Sequence, residues 1–247
     1  MKPLLIIKTG EKLPSLTNTP GDYEQWIAAA MGLEPAEYIV IAPYRGESLP
    51  PPDSLSGAVI TGSGAMVTDG EWWMEQSAAW LRQAVEQGLP LLGICFGHQL
   101  LAHALGGKVD NNPAGVEVGS IGVTLQTEAN HDPLLSVLPD TFIAQLTHRQ
   151  SVRTLPAGAR LLASSEMEPH QAFVCGDRVW GIQFHPEFDE AIIRHFIDYY
   201  SEQLRQEGRT VEALIETRRP APECRTLLGR FAEIIMAHQP KQTGKTC

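Results

Sequence analysis

Leu89-Pro90-Leu91-Leu92-Gly93-Ile94-Cys95-Phe96-Gly97-His98-Gln99 decides how the rest of the chain is read. Leu91 to Ile94 is a short apolar run of the kind that suits a buried strand, and His98 to Leu105 follows as a helix. A cysteine between two glycines at such a junction is poorly placed as core filler. It reads instead as the tip of a strand-to-helix turn, which lifts a nucleophile above the C-terminal edge of an α/β sheet. Gly93 and Gly97 permit the bend and a close backbone approach. The helix that follows offers unpaired N–H groups and a positive dipole end, both of which favour a thiolate. The plain alternative is a buried cysteine, one of the residue types most often found inside.

Working outward, strand and helix patterns alternate through the first half. Leu4 to Lys8, Tyr38 to Ala42, Ala58 to Thr61 and Leu91 to Ile94 read as strands. Tyr23 to Met31 and Glu71 to Gln87 read as helices between them. This rhythm predicts an α/β fold, a three-layer sandwich around a mainly parallel, flavodoxin-like sheet. Sites in such sheets gather where strands end, so Gly62-Ser63-Gly64 and Cys95 are expected side by side. The second half holds short β runs (121–125, 142–146, 160–163, 171–174 and 179–184), a small β-rich part. Helices are expected from about Asp189 to Gln206 and Thr226 to His238. One domain over residues 1–240 is expected, with a disordered tail over 241–247.

The chain has 247 residues, 43% of them hydrophobic and 19% charged, and a formal net charge of −10. That supplies a substantial core, and the acidic balance argues against nucleic acid or an anionic membrane as the main partner. The start, Met1 to Lys8, reads as a first strand and not as a signal peptide. No apolar run approaches the ~18 residues of a membrane span. Cys95, Cys175, Cys224 and Cys247 form no Cys-x-x-Cys pair, so neither a disulfide framework nor a metal site is expected, and a reducing cytoplasm is the default.

Far from Cys95 lies Gln183-Phe184-His185-Pro186-Glu187. In an extended segment His185 and Glu187 would point to the same side, where the carboxylate could orient an imidazole that accepts the thiol proton. Its bland counterpart is a strand end breaking into a helix, with Glu187 near a favourable helix N-terminus. Gly62-Ser63-Gly64 could hold an oxyanion together with the N–H of Phe96, or be no more than a flexible turn.

Gly93 to Leu101 together with the distant Gln183 to Glu187 resembles the class I (triad-type) glutamine amidotransferases over residues 40 to 200. The resemblance implies that Cys95 attacks the side-chain amide of glutamine or a related γ-glutamyl compound, with His185 as base and acid and Glu187 orienting it. It implies an oxyanion hole bordered by Gly62, Ser63, Gly64 and Phe96, and substrate contacts from Gln99 and the backbone around Gln150 and Ser151. No metal or organic cofactor is required. Gly115-Val116-Glu117-Val118-Gly119 also resembles a family segment near the pocket. Many relatives carry His-x-Asp where this chain has His148-Arg149-Gln150, so the two basic side chains there are read as a solvated loop. In most of this family ammonia passes to a synthetase, and this chain resembles a stand-alone member, similar to the amidotransferase domain of GMP synthase. The stretch beyond Glu187 is too short for a synthetase domain, so any ammonia acceptor is expected to be a separate partner. A free-standing γ-glutamyl hydrolase or transferase, or a non-catalytic binding protein, remains the alternative.

Overall fold

The computed structural model describes residues 2–238; the tail expected over 241–247 lies outside them. Strands β1 (Leu4–Ile7), β2 (Tyr38–Ile41), β3 (Gly57–Ile60), β4 (Leu91–Ile94) and β11 (Val179–Ile182) run parallel. Their order is β2-β1-β3-β4-β11, the flavodoxin arrangement. The sheet then continues antiparallel through β10 (Ala172–Cys175), β9 (Arg160–Ser164), β6 (Glu117–Leu125) and β7 (Thr141–His148), nine strands in all. A second sheet pairs β5 (Lys108–Asn111) with β8 (Gln150–Thr154).

Strand periodicity divides the core into two layers. Leu4 and Ile6 of β1 face one side, where helices α1 (Tyr23–Met31) and α7 (Pro222–His238) cover the sheet. Leu5 and Ile7 face the other, against α2 (Trp72–Glu86) and α3 (Phe96–Ala104). Alternate side chains of a strand point to opposite faces, so a sheet covered on both sides is apolar throughout. Helix α1 is set by local chemistry as well: Asp22 and Gln25 form a capping box at its start, and Gly32 ends it in the left-handed region at φ 70°.

Some boundaries differ from the sequence reading. The helix expected over 189–206 is two, α4 (Glu190–Tyr199) and α5 (Ser201–Gln206), because Tyr200 leaves helical geometry at φ −88°, ψ 5°. A short helix α6 (Val211–Glu216) went unread, and α7 begins earlier, with Pro222 at its first position, where a missing N–H costs nothing. Strands β6 and β7 are longer than expected and β8 was not anticipated. No helix of the described residues is long and apolar enough to cross a membrane.

Candidate active site

Cys95 stands between β4 and α3 with φ 52° and ψ −102°, and it is the one non-glycine residue at positive φ among those described. Such a conformation is strained for any side chain and persists where the surroundings enforce it. Here its N–H donates to Ile182 O at 2.8 Å and its carbonyl accepts from Gln99 N at 3.1 Å, tying the turn to β11 and to α3. The bend is therefore made at the cysteine itself, and the flanking glycines supply clearance. A Cβ on Gly93 would lie 2.4 Å from Gly97 O, and one on Gly97 would lie 2.4 Å from Ile60 O. The thiol is 6% exposed by residue, and its Sγ lies 3.6 Å from Thr147 O. The N–H groups of Phe96 and Gly64 meet no acceptor among the described residues.

The neighbouring strand β11 ends at Ile182 and delivers His185. Its N–H is fixed to Gln145 O at 2.9 Å, and Phe188 N–H closes a turn back to His185 O at 3.4 Å. The segment is a turn and not extended, so the same-side argument from strand geometry does not apply. The contact arises through the turn instead, with Nδ1 of His185 2.8 Å from Glu187 Oε1. Both side chains are at most 3% exposed. Phe188 stacks on the imidazole at 4.0 Å between centroids and 7° between planes, so the ring cannot rotate freely. Nε2 has no hydrogen-bond partner, and Gly62 touches the ring edge so closely that a Cβ there would lie 2.7 Å from Cε1. Burial disfavours the imidazolium, but nearby Glu187 and Cys95 outweigh it and raise His185 to about 10.

The Gly62-Ser63-Gly64 loop is held from behind. Ser63 Oγ donates to Thr9 O at 2.8 Å and accepts from Ala65 N–H at 3.1 Å, so its hydroxyl is engaged in the scaffold. Gln99 Nε2 donates to Gln150 O at 2.8 Å and to Gln183 Oε1 at 3.0 Å. Gln150 in turn donates from Nε2 to Thr68 Oγ1 at 2.6 Å. A narrow crevice of ≈ 30 Å³ is lined by Ser63, Gly64, Cys95, Phe96, Gln99, His148 and Gln150, among others. Ser151 does not line it: its buried hydroxyl instead accepts from Arg153.

His148 overturns the expectation of a solvated side chain. It is 1% exposed by side chain, with Nε2 2.8 Å from Glu117 Oε2 and Nδ1 2.9 Å from Gln150 O. Both ring nitrogens face acceptors, so both carry protons and the ring is an imidazolium. Burial opposes that charge, and the hydrogen bond and charge of Glu117 prevail, raising its pKa. Glu117 is completed by Ser165 Oγ at 2.6 Å and Gln171 Nε2 at 2.9 Å. Only the resemblance of the segment 115–119 drew attention to Glu117, because nothing local couples it to a histidine on the next strand. Tyr200 also lines the crevice and was missed, since it read as mid-helix. His98 of the cysteine motif lies on the far side, fully buried against Phe173, and burial lowers it to about 3. Among the described residues no group of three or more His, Cys, Asp or Glu side chains is arranged to hold a metal ion.

Residues 39–197 match the glutamine amidotransferase class-I family, and the chain belongs to it. It is 34% identical over 147 residues to a glutamine-hydrolysing GMP synthase of Caldicellulosiruptor saccharolyticus, a match covering 57% of this chain and 27% of that protein. It is 31% identical over 148 residues to gamma-glutamyl peptidase 5 of Arabidopsis thaliana, covering 59% of each. The matches thus span about a quarter of the GMP synthase and under two thirds of the peptidase. A glutamine amidotransferase from Methylobacillus flagellatus superposes with TM-score 0.73 at 27% identity, over 96% of this chain and 93% of that one. One from Thermotoga maritima shares the fold with TM-score 0.74 at 21% identity, over 95% and 98%.

Proposed function

We propose that this chain, as one catalytic unit over residues 1–240, hydrolyses the side-chain amide of glutamine or a related γ-glutamyl amide through a thioester on Cys95. Nε2 of His185 holds the proton of the Cys95–His185 pair, and Sγ attacks the amide carbon. The amide oxygen, now negative, is met by the N–H groups of Phe96 and the Gly62-Ser63-Gly64 loop, donors of a kind worth about 10²–10³ in rate. Collapse breaks the C–N bond, and His185 gives its proton to the leaving nitrogen. Water, deprotonated by His185, then attacks the thioester and releases glutamate. Glu187 holds the imidazole with Nε2 free for these transfers, and Gln99 and the Gln150 backbone line the space for the glutamyl group. Water and the chain's own groups suffice for every step.

The reading rests above all on Cys95, strained at positive φ, beside a buried His185 whose other nitrogen is engaged by Glu187. In a reducing cytoplasm such a chain would serve either a separate synthetase that consumes the ammonia or free γ-glutamyl catabolism. The GMP synthase likeness favours the former and the gamma-glutamyl peptidase likeness the latter. The test is glutamate release from L-glutamine and from a γ-glutamyl dipeptide, with trapping of the acyl-enzyme by mass spectrometry. Cys95→Ser and Cys95→Ala should abolish release and remove the acyl adduct, which adds about 129 Da, the mass of a glutamyl group on sulfur. Undiminished turnover in either variant overturns the assignment.

A further inference from the structure

Ammonia needs no room to leave, yet a recess of ≈ 140 Å³ opens on the imidazole side of the site, lined by Glu11, Arg149, His185, Phe196, Tyr199 and Tyr200 among others. It shares Ser63, Gly64, Met66, Thr147, Arg149 and Tyr200 with the crevice that holds Cys95 and Gln99. The two spaces have different tasks if the proposed chemistry holds. The glutamyl group occupies the crevice, against the sulfur and the oxyanion donors. Whatever is attached to the leaving nitrogen points to the side from which that nitrogen receives its proton, and that side is His185.

The charges of the recess are unequal. Glu11 is engaged by Lys8 at 2.9 Å, a cation it shares with Asp22 and Glu24, and it also bonds Arg45 and the Tyr44 hydroxyl. Arg149, the single residue between β7 and β8, has its backbone carbonyl held by Asn112 N–H at 2.8 Å. Its exposed guanidinium makes no ion pair or hydrogen bond among the described residues. A cation with five planar donors is left over at the mouth of a recess walled by Phe196, Tyr199 and Tyr200. Guanidinium matches a carboxylate in bidentate fashion, and the rings match an apolar side chain.

We infer that Arg149 and the aromatic recess bind the leaving half of a γ-glutamyl dipeptide. Arg149 pairs with the carboxylate of the departing amino acid, and Phe196, Tyr199 and Tyr200 receive its apolar side chain. This rests on the reaction proposed above. As the Sγ–C bond forms and the C–N bond breaks, His185 protonates the departing amine, which leaves as a free amino acid.

The experiment compares γ-glutamyl-phenylalanine with γ-glutamyl-phenethylamide, which lacks only the second carboxylate. The ratio of their kcat/KM values should be about ten or more in the wild type, the scale of one charge-assisted hydrogen-bonded pair. In Arg149→Ala the ratio should fall to about one, with partial recovery in Arg149→Lys. A ratio near one in the wild type, or one unchanged in Arg149→Ala, overturns the inference. A binding arm keeps the inference separate from the chemistry. Cys95→Ala should bind the dipeptide about tenfold more tightly than the phenethylamide in calorimetry, and Cys95→Ala with Arg149→Ala should not. Equal affinities in the Cys95→Ala chain refute the subsite, whereas discrimination without any turnover in the wild type refutes only the hydrolytic reading.

Discussion

Replacing Cys95 by glycine should yield a protein at least as stable as replacing it by alanine, the reverse of the order at an ordinary buried position. Both variants lose Sγ, so the comparison isolates the Cβ. At φ 52°, ψ −102° that atom is held against the backbone, and such strain costs about 1–3 kcal/mol. Alanine keeps it. Glycine relieves it, but gives the unfolded chain about 0.5–1 kcal/mol of extra freedom. Glycine also forfeits a buried carbon worth about 0.8 kcal/mol. With the middle of each range, glycine comes out ahead by about 0.5 kcal/mol, where an unstrained site would favour alanine by about 1.5 kcal/mol. Urea titration of the two inactive variants, with m-values compared, reads the difference directly. In a scan, each kcal/mol moves Tm by about 2–4 °C in a chain of this size. An alanine variant more stable by about 1.5 kcal/mol or more would show that the turn at Cys95 carries no strain.

Other outcomes rest on the same geometry. Because His185 is raised to about 10 on folding, its contribution to stability is whole below the unfolded histidine value of about 6.5 and is lost as pH climbs to about 10. Unfolding free energy should decline across that window, and less steeply in Glu187→Gln; identical profiles would remove Glu187 as the cause. Gly62→Ala drives a Cβ to 2.7 Å from a ring pinned by Phe188. It should reduce turnover by about 10²-fold or more, the scale of a displaced general base, while circular dichroism stays unchanged; a loss under threefold would contradict the packing. Glu117→Ala leaves the His148 imidazolium buried without its anion, at a cost of about 3–5 kcal/mol. Denaturant midpoints test this, and Glu117→Gln should be milder because it retains an acceptor.

The sequence made the parallel half of the sheet legible because its signals are local. Leu91 to Ile94 is a strand bounded as expected, and Tyr23 to Met31 is a helix with its cap written in Asp22 and its stop in Gly32. Cys95 was legible for a similar reason, since two glycines beside it have no role in a straight strand. The pair Glu117 and His148 was not, because their partnership exists only through the antiparallel register that sets Glu117 opposite His148. Tyr200 could not be found by periodicity, which carries through a one-residue break between helices. The recess beside His185 draws on residues as distant as Glu11, Arg149 and Phe196.

Cys95 and His185 are brought near one another by adjacent parallel strands, locked by the 2.8 Å bond from Cys95 N–H to Ile182 O. All the chain between those two positions, with strands β5 to β10, is an excursion that leaves one strand end and returns to its neighbour. Strand β7 of that excursion comes back to the site, where Gln145 O fixes the His185 N–H at 2.9 Å and Thr147 O lies 3.6 Å from Sγ. The same strand leads directly into Arg149, so the residue proposed to choose the leaving group is held in register with the reacting pair by the strand that braces it.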